Sequence, residues 1–218
     1  AQRGAVECTE GPSLIIAGAG SGKTKVLTYK IAYLLEMGVK PSSILALTFT
    51  NKASKEMKER ISALVGRDKS VRLWMGTFHS IFIRFLRQYS DRIGYPSSFT
   101  VYDTSDTKSA LKVCIKELQL DDKVYKPSDV LSRISYAKNN LVTAGAYMNN
   151  AAAIKNDQAA RKGRICDIYQ LYSKKCKASG VMDFDDILLN MNILLRDNPD
   201  VCEELAKQFK YILVDEYQ

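Results

Sequence analysis

Lys23 and Thr24 close a glycine-rich loop, Ala17-Gly18-Ala19-Gly20-Ser21-Gly22-Lys23-Thr24-Lys25, whose residue types suit the holding of a phosphate chain. Glycines at 18, 20 and 22 let the backbone curl so that successive N–H groups face an anion, and a following helix adds the positive end of its dipole. A lysine at this place reaches the β and γ phosphates. The next hydroxyl, Thr24, suits Mg²⁺, which takes few protein oxygens and keeps most of its waters. Apolar runs flank the loop over 13–17 and 26–31, so the spacing predicts a strand, the loop and then a helix. Ala17 replaces the first glycine of G-x-x-x-x-G-K-[ST], at little cost if it ends a strand with negative φ. These residues describe a nucleotide binder rather than an ordinary glycine-rich turn.

Hydrolysis needs acids as well, and Tyr211-Ile212-Leu213-Val214-Asp215-Glu216-Tyr217-Gln218 supplies two behind an apolar strand. Asp215, at the strand end, suits a Mg²⁺ held through its water shell, and Glu216 suits the positioning or deprotonation of an attacking water. A solvated acidic pair is the plain alternative. The phosphate loop favours the first reading, because ligands collect at the carboxyl ends of parallel strands.

Six short segments in order carry a resemblance to a known family: Gln2-Arg3-Gly4-Ala5-Val6; Ala17 to Thr24; Thr48-Phe49-Thr50-Asn51-Lys52-Ala53; Gly76-Thr77-Phe78-His79-Ser80; Met182-Asp183-Phe184-Asp185-Asp186; and Asp215-Glu216-Tyr217-Gln218. Together they resemble superfamily 1 DNA helicases of the UvrD/Rep/PcrA type. The resemblance implies an ATP-dependent, 3′-to-5′ helicase or translocase whose ATP hydrolysis is stimulated by single-stranded DNA, with Mg²⁺ as cofactor. It counts Lys23, Asp215, Glu216 and Gln218 as catalytic residues and assigns Gln2 to the adenine. An amide can donate and accept at the N6/N7 edge at once, so a glutamine there favours ATP over GTP. Lys25 departs from the arginine often found at its place, and lacks the planar guanidinium that packs on a base. Such helicases continue past this Gln into the rest of the first motor domain and a second one, so the chain reads as an N-terminal fragment that does not unwind alone. Single-stranded DNA and single/double-strand junctions are the implied substrates; accessory repair or replication proteins stay unidentified.

Composition agrees with this. The chain has 218 residues, 46% of them hydrophobic, enough for one substantial core or a core with a satellite. No apolar run approaches the roughly 18 residues of a membrane span. Five scattered cysteines without a C-x-x-C pair, and His79 as the single histidine, indicate neither a disulfide framework nor a zinc site. Reduced thiols in the cytoplasm are the expectation. The net charge of +8 lies entirely in residues 1–88, with 14 Lys/Arg against 6 Asp/Glu, while residues 89–218 balance at 18 each. An excess of that kind suits a polyanion but equally a solvated basic face.

The pattern over 1–88 alternates apolar strands and amphipathic helices: a strand near 13–17, a helix near 23–37 closed by Gly38, a strand over 44–48, a helix near 52–65 ended by Gly66, and a strand over 71–75. In the second helix Ala53, Met57, Ile61 and Leu64 share one face. This is βαβ order and predicts a RecA-like parallel sheet flanked by helices. Lys23 and Asp215 must meet at one nucleotide although 192 residues separate them, far beyond the roughly 30 of a βαβ unit. Residues 89–204, with helical periodicity throughout, are therefore expected as an inserted all-helical subdomain, leaving 1–88 and 205–218 as the motor domain. Asn149-Asn150-Ala151-Ala152-Ala153 reads as a mobile linker within the insertion.

Single strands are held by basic grooves and by rings on which bases stack, at about 1–3 kcal/mol per base. Phe49, just past the second expected strand, is implied by the resemblance to stack on a base, with Thr50 and Asn51 beside it. Thr77, Phe78 and His79 occupy the equivalent place after the third strand and are expected to line the same path, and Phe184 is a further candidate for contact with DNA. Core packing is the alternative for each ring. Three other functions remain open: the motor of a helicase–nuclease, a P-loop ATPase that is not a nucleic-acid motor, and a nonenzymatic DNA-binding module.

Overall fold

The computed structural model describes residues 1–18 and 20–216. By internal contacts the chain forms two compact units, Ala1–Ile81 with Asp200–Gln218, and Phe82–Pro199. The division falls at 81/82 and 199/200, where the sequence pattern changes at 88/89 and 204/205.

The first unit is built on β1 (Ile44–Thr48), every residue of which is buried. A strand apolar on both faces belongs at the centre of a parallel sheet. It pairs on one edge with β2 (Trp74–Thr77) and on the other with β5 (Tyr211–Val214), all parallel, in the order β2-β1-β5. The register sets Ala46 beside Met75 and Leu213, and Thr48 beside Thr77. Strand alternation then defines two faces. On one, Ile44, Ala46 and Met75 pack with Leu27, Ile31 and Leu34 of α2 (Lys23–Glu36) and with Met57 and Ile61 of α3 (Asn51–Val65). On the other face, Trp74 meets Phe209, which follows α12 (Pro199–Gln208), edge to ring at 5.4 Å between centroids.

Three expectations differ here. No strand forms over 13–17: residues 12–18 lack regular structure, and Leu14 and Ile16 are 66% and 90% exposed. A strand needs a ladder partner for its N–H and C=O groups, and among the described residues this segment pairs with none, the sheet being β2-β1-β5. The strand expected over 71–75 begins at Trp74, because the register with β1 decides which residues can pair; Val71 instead ends the short helix α4 (Arg67–Ser70). On α3 the buried face is Ser54, Met57 and Ile61 with Val65 partly buried, whereas Leu64 is exposed. Steps of 3, 4 and 4 describe one helical stripe as well as 4, 4 and 3 do, so periodicity alone could not choose between them.

Gly76 has a packing reason. It is buried in β2, and a Cβ there would come within 2.4 Å of Ser80 Oγ and 3.1 Å of Ile81 Cγ1, both on α5 (Phe78–Gln88). The turn from β2 into α5 is therefore closed tightly enough to exclude a side chain.

The second unit is mainly helical. Leu111 and Cys114 of α6 (Thr104–Glu117), Ile134 of α7 (Pro127–Asn139), and Ile168, Tyr169 and Tyr172 of α10 (Ile165–Ala178) share one core. It also carries a two-residue parallel ladder, β3 (Thr100–Val101) with β4 (Val181–Met182), too short for alternation to reveal. The expected linker over 149–153 is not a linker. Between α8 (Ala144–Tyr147) and α9 (Ala151–Ala159), Asn150 Oδ1 accepts from Ala153 N at 3.0 Å and caps the second helix, whose alanines are good helix formers.

Among the helices lies a buried ionic cluster. Lys138 of α7, 2% exposed, reaches Asp183 Oδ2 at 2.6 Å and Asp186 Oδ1 at 2.7 Å. Asp183 and Asp186 form a reciprocal capping box at the start of α11 (Phe184–Asp197). Burial works against ionising Asp183, but Lys138 and the hydrogen bonds around it hold its carboxyl below the ordinary range. For Asp186 burial dominates and, with the charge of Asp183, outweighs Lys138, pushing the carboxyl up to about 6. No helix among the described residues is long and apolar enough to cross a membrane.

Two outcomes follow. Gly76→Ala lowers unfolding stability by about 1–3 kcal/mol in urea titration, the usual cost of overpacking. A raised carboxyl binds more protons folded than unfolded, so the burial penalty of Asp186 is relieved as pH falls from 7 toward 4. Asp186→Asn removes that titration, and the stability of the parent relative to this variant accordingly increases over the same pH range.

Candidate functional site

The phosphate loop runs from Ala17 into α2, and its backbone depends on two glycines. Gly20 and Gly22 have φ of +76° and +89°, in the left-handed region, whereas Gly18 does not. Gly22 is also the N-cap of α2, and a Cβ on it would lie 3.0 Å from Gln2 Nε2. Ala19 lies outside the described residues. Lys23 Nζ donates to Ala17 O at 3.0 Å and Gly18 O at 3.4 Å, so the ammonium is held over the loop it would share with phosphates. Ser21 Oγ donates to Gly18 O, tightening the same turn.

Gln2 opens the short helix α1 (Gln2–Glu7), which packs on α2. Its Nε2 donates to Ser21 O at 2.8 Å, joining the first helix to the phosphate loop. Sequence reasoning missed what anchors this helix. Lys30 of α2 donates to the backbone carbonyls of Cys8 and, at 3.3 Å, Ala5, near the end of α1 where carbonyls lack helical partners. A lone lysine in a helix carries no signal of such a role.

Across the sheet, Asp215 continues the β5 ladder by donating its N–H to Leu47 O at 2.9 Å. The residue is 6% exposed, and its Oδ2 accepts from Thr24 Oγ1 at 3.3 Å. The two oxygens singled out for Mg²⁺ thus converge from opposite ends of the chain. Adjacent ligands of an octahedral Mg²⁺ stand about 3 Å apart, so this pair fits the ion, directly or through its waters. The donor set is one carboxylate and one hydroxyl; among the described residues no group of three or more His, Cys, Asp or Glu could hold a metal. Glu216, next to Asp215, has φ +58°. Left-handed backbone is uncommon in a residue other than glycine, and the other three such among the described residues, Gln119, Leu141 and Arg161, follow helix ends. Gln218 lies outside the described residues.

A cleft of about 610 Å³ lies over the loop, lined by Ala17, Gly20, Gly22, Lys23, Thr24 and Lys25, together with Glu216 and Arg60 of α3. Arg60 also lies 3.8 Å from Glu56, one turn earlier on α3. A second hollow, about 310 Å³ and mostly apolar, is lined by Gln2, Lys25, Val26, Tyr29 and Tyr33 among others. Lys25 lies over the Tyr29 ring, 5.6 Å from its centroid.

The DNA-contacting residues of the sequence reading fall into two sets. Because Thr48 and Thr77 are register partners, the residues after them emerge side by side, and the rings of Phe49 and Phe78 lie 5.3 Å apart, tilted by 54°. Phe49 is 60% exposed, and Phe78 and His79 are half-buried. Thr50 Oγ1 accepts from Ala53 N and caps α3, whose first residue is the exposed Asn51. Thr77 is buried, its Oγ1 accepting from Ser80 N. Phe184 belongs to the second unit, where it is the first residue of α11 and 49% exposed.

Comparison with known proteins agrees with this geometry. The family model described as the UvrD/REP helicase N-terminal domain matches residues 1–218. The chain is 44% identical over all 218 residues to the ATP-dependent DNA helicase PcrA of Staphylococcus aureus, covering 29% of that protein. It is 43% identical to the protein of the same name in Leuconostoc citreum, covering 28%, and 44% identical to that of Staphylococcus epidermidis, covering 29%. The chain thus spans less than a third of the length of these curated relatives. With a match over every residue, and a parallel sheet that brings the phosphate loop to Asp215, the chain belongs to the UvrD/REP helicase N-terminal domain family.

Proposed function

We propose that the chain is the nucleotide-binding part of an ATP-dependent DNA helicase that moves 3′ to 5′ on single-stranded DNA. The observation that carries this is the contact between Thr24 and Asp215 at the carboxyl edge of a sheet that also presents Phe49 and Phe78. One edge serves both the nucleotide and the strand.

In this reading the backbone N–H groups of the loop hold the phosphates, and Lys23 exchanges the carbonyls of Ala17 and Gly18 for the β and γ oxygens. Arg60, lining the same cleft, adds positive charge. Thr24 and Asp215 hold Mg²⁺, which when bound neutralises charge developing on the transferring phosphoryl group. Glu216 orients the attacking water and accepts its proton, with Gln218 close to it in sequence. The mostly apolar hollow at Gln2, Lys25 and Tyr29 suits the base, and an amide already fixed on Ser21 O keeps a second N–H and a carbonyl oxygen for reading it. The ring of Phe49 stacks on a base of the strand, with Phe78 supporting it. Thr50, Asn51, Thr77 and His79 line the approach, and Phe184 makes a further contact.

The reading includes a second motor domain, supplying the arginine that closes on the γ phosphate, a contribution of about 10³–10⁵ in rate where arginine fingers have been studied. Junction DNA is the substrate for unwinding, and the whole motor works in a soluble, cytoplasmic setting of repair or replication.

Three outcomes test this reading. Fluorescent ATP binds the chain, and Lys23→Ala weakens that binding about 10- to 150-fold, the cost of about 1.5–3 kcal/mol for charged hydrogen bonds. The 218-residue chain alone turns ATP over near background with or without DNA; robust single-strand-stimulated turnover contradicts the proposed division of labour. In anisotropy titrations, labelled oligo-dT binds more tightly than a duplex of equal length, and Phe49→Ala weakens it about 5- to 150-fold, as loss of one stacked base requires. Equal, purely salt-driven binding to both forms favours an ATPase that is not a nucleic-acid motor.

A further inference from the structure

The residue before Phe184 and the residue two after it are tied to a buried cation that no part of the nucleotide site uses. Every carboxylate oxygen of this pair has a partner. Asp183 Oδ1 accepts from Asp186 N at 2.8 Å, and its Oδ2 accepts from Lys138 Nζ at 2.6 Å and Tyr172 Oη at 2.8 Å. Asp186 Oδ1 accepts from Lys138 at 2.7 Å, and its Oδ2 from Asp183 N at 3.1 Å. The cation lies 5.1 Å from the Tyr172 ring centroid. Asp185, between the two, is held from the same helix by Ser135 Oγ and Asn139 Nδ2.

One helical turn is therefore fastened at three acids, Asp183, Asp185 and Asp186, while the ring of Phe184 among them stands half exposed. A capping box alone places a helix start, and needs no buried lysine to do it. Two carboxylates facing each other in a dry site repel, and a central ammonium converts that repulsion into a fixed geometry. A ring that receives a base loses less freedom on binding when its backbone is already ordered.

We infer that Lys138 is a positioning residue for single-stranded DNA: its buried ammonium binds Asp183 and Asp186 and thereby holds the first turn of α11 so that Phe184 is set to stack on a base. This rests on the reading above that Phe184 meets DNA. Lys138 is too buried to touch a phosphate, so its effect on DNA passes through the ring.

The experiment is a double-mutant cycle on the 218-residue chain, with affinity for labelled oligo-dT measured across a salt series. Phe184→Ala is expected to weaken binding about 5- to 150-fold. Lys138→Met and the milder Tyr172→Phe weaken binding by no more than that, leave the salt slope unchanged, and add little when Phe184 is already alanine. Both also speed amide exchange at Asp186 by roughly tenfold, a readout independent of DNA. Equal losses with and without the Phe184 ring overturn the inference, as does a salt slope smaller by about 1, the mark of a lost phosphate contact. If Lys138→Met does not fold, Tyr172→Phe decides by the same criteria. If Phe184→Ala binds DNA like the parent, Phe184 leaves the DNA site and the inference falls, while single-strand preference lost with Phe49 keeps the wider proposal standing.

Discussion

The central strand β1 is the element on which both proposed sites depend. Its five residues are buried on both faces, and its two edges are occupied by strands parallel to it. Parallel pairing brings carboxyl ends together, so Phe49, Phe78 and Asp215 emerge at one edge whatever their separation in sequence. Leu47 O accepting from Asp215 N is a rung of that ladder, and it brings the acid close enough for Thr24 to donate to it. A shift of two residues between β1 and β5 would move Asp215 by about 7 Å, the rise of two strand residues, and break that contact.

Charge is arranged differently in the two units. At the loop, Lys23 rests on backbone carbonyls that a phosphate can replace, and the adjacent cleft is open. At α11 the lysine is enclosed, its partners are two carboxylates, and no phosphate could displace them without burying a further charge. An exchangeable partner suits a site that loads and unloads, whereas a fixed one suits a scaffold. Two lysines of identical chemistry thus differ in burial and in partners, which suits them to opposite tasks.

Much of the candidate nucleotide site is legible in the sequence because its chemistry is local. Glycines at fixed spacing, a lysine with a threonine, and an apolar run ending in two acids each carry their own mechanism, and the structure brings Thr24 and Asp215 together. The strand over 13–17 was not legible, since an apolar run states that a segment can pair and not whether a partner is beside it. Val71 and Leu64 failed for a related reason: register and helix rotation are tertiary decisions that short apolar patterns do not encode. The roles of Lys30, Arg60 and Lys138 were invisible because one basic residue on a helix reads as solvated until its partners are seen. Asn150 reads equally as part of a linker and as a helix start ahead of alanines, and only its bond to Ala153 N decides for the second.

The most direct test of the account is whether Mg²⁺ and nucleotide are held jointly by Thr24 and Asp215. Calorimetric titration of ATP into the parent chain and into Thr24→Ala and Asp215→Asn, each with and without Mg²⁺, isolates that coupling. The account predicts that Mg²⁺ tightens ATP binding to the parent, and that either substitution removes most of this gain while leaving metal-free binding nearly unchanged. Undiminished Mg²⁺ dependence in both variants would contradict it, because the convergence of these two oxygens would then have no part in holding the nucleotide's metal.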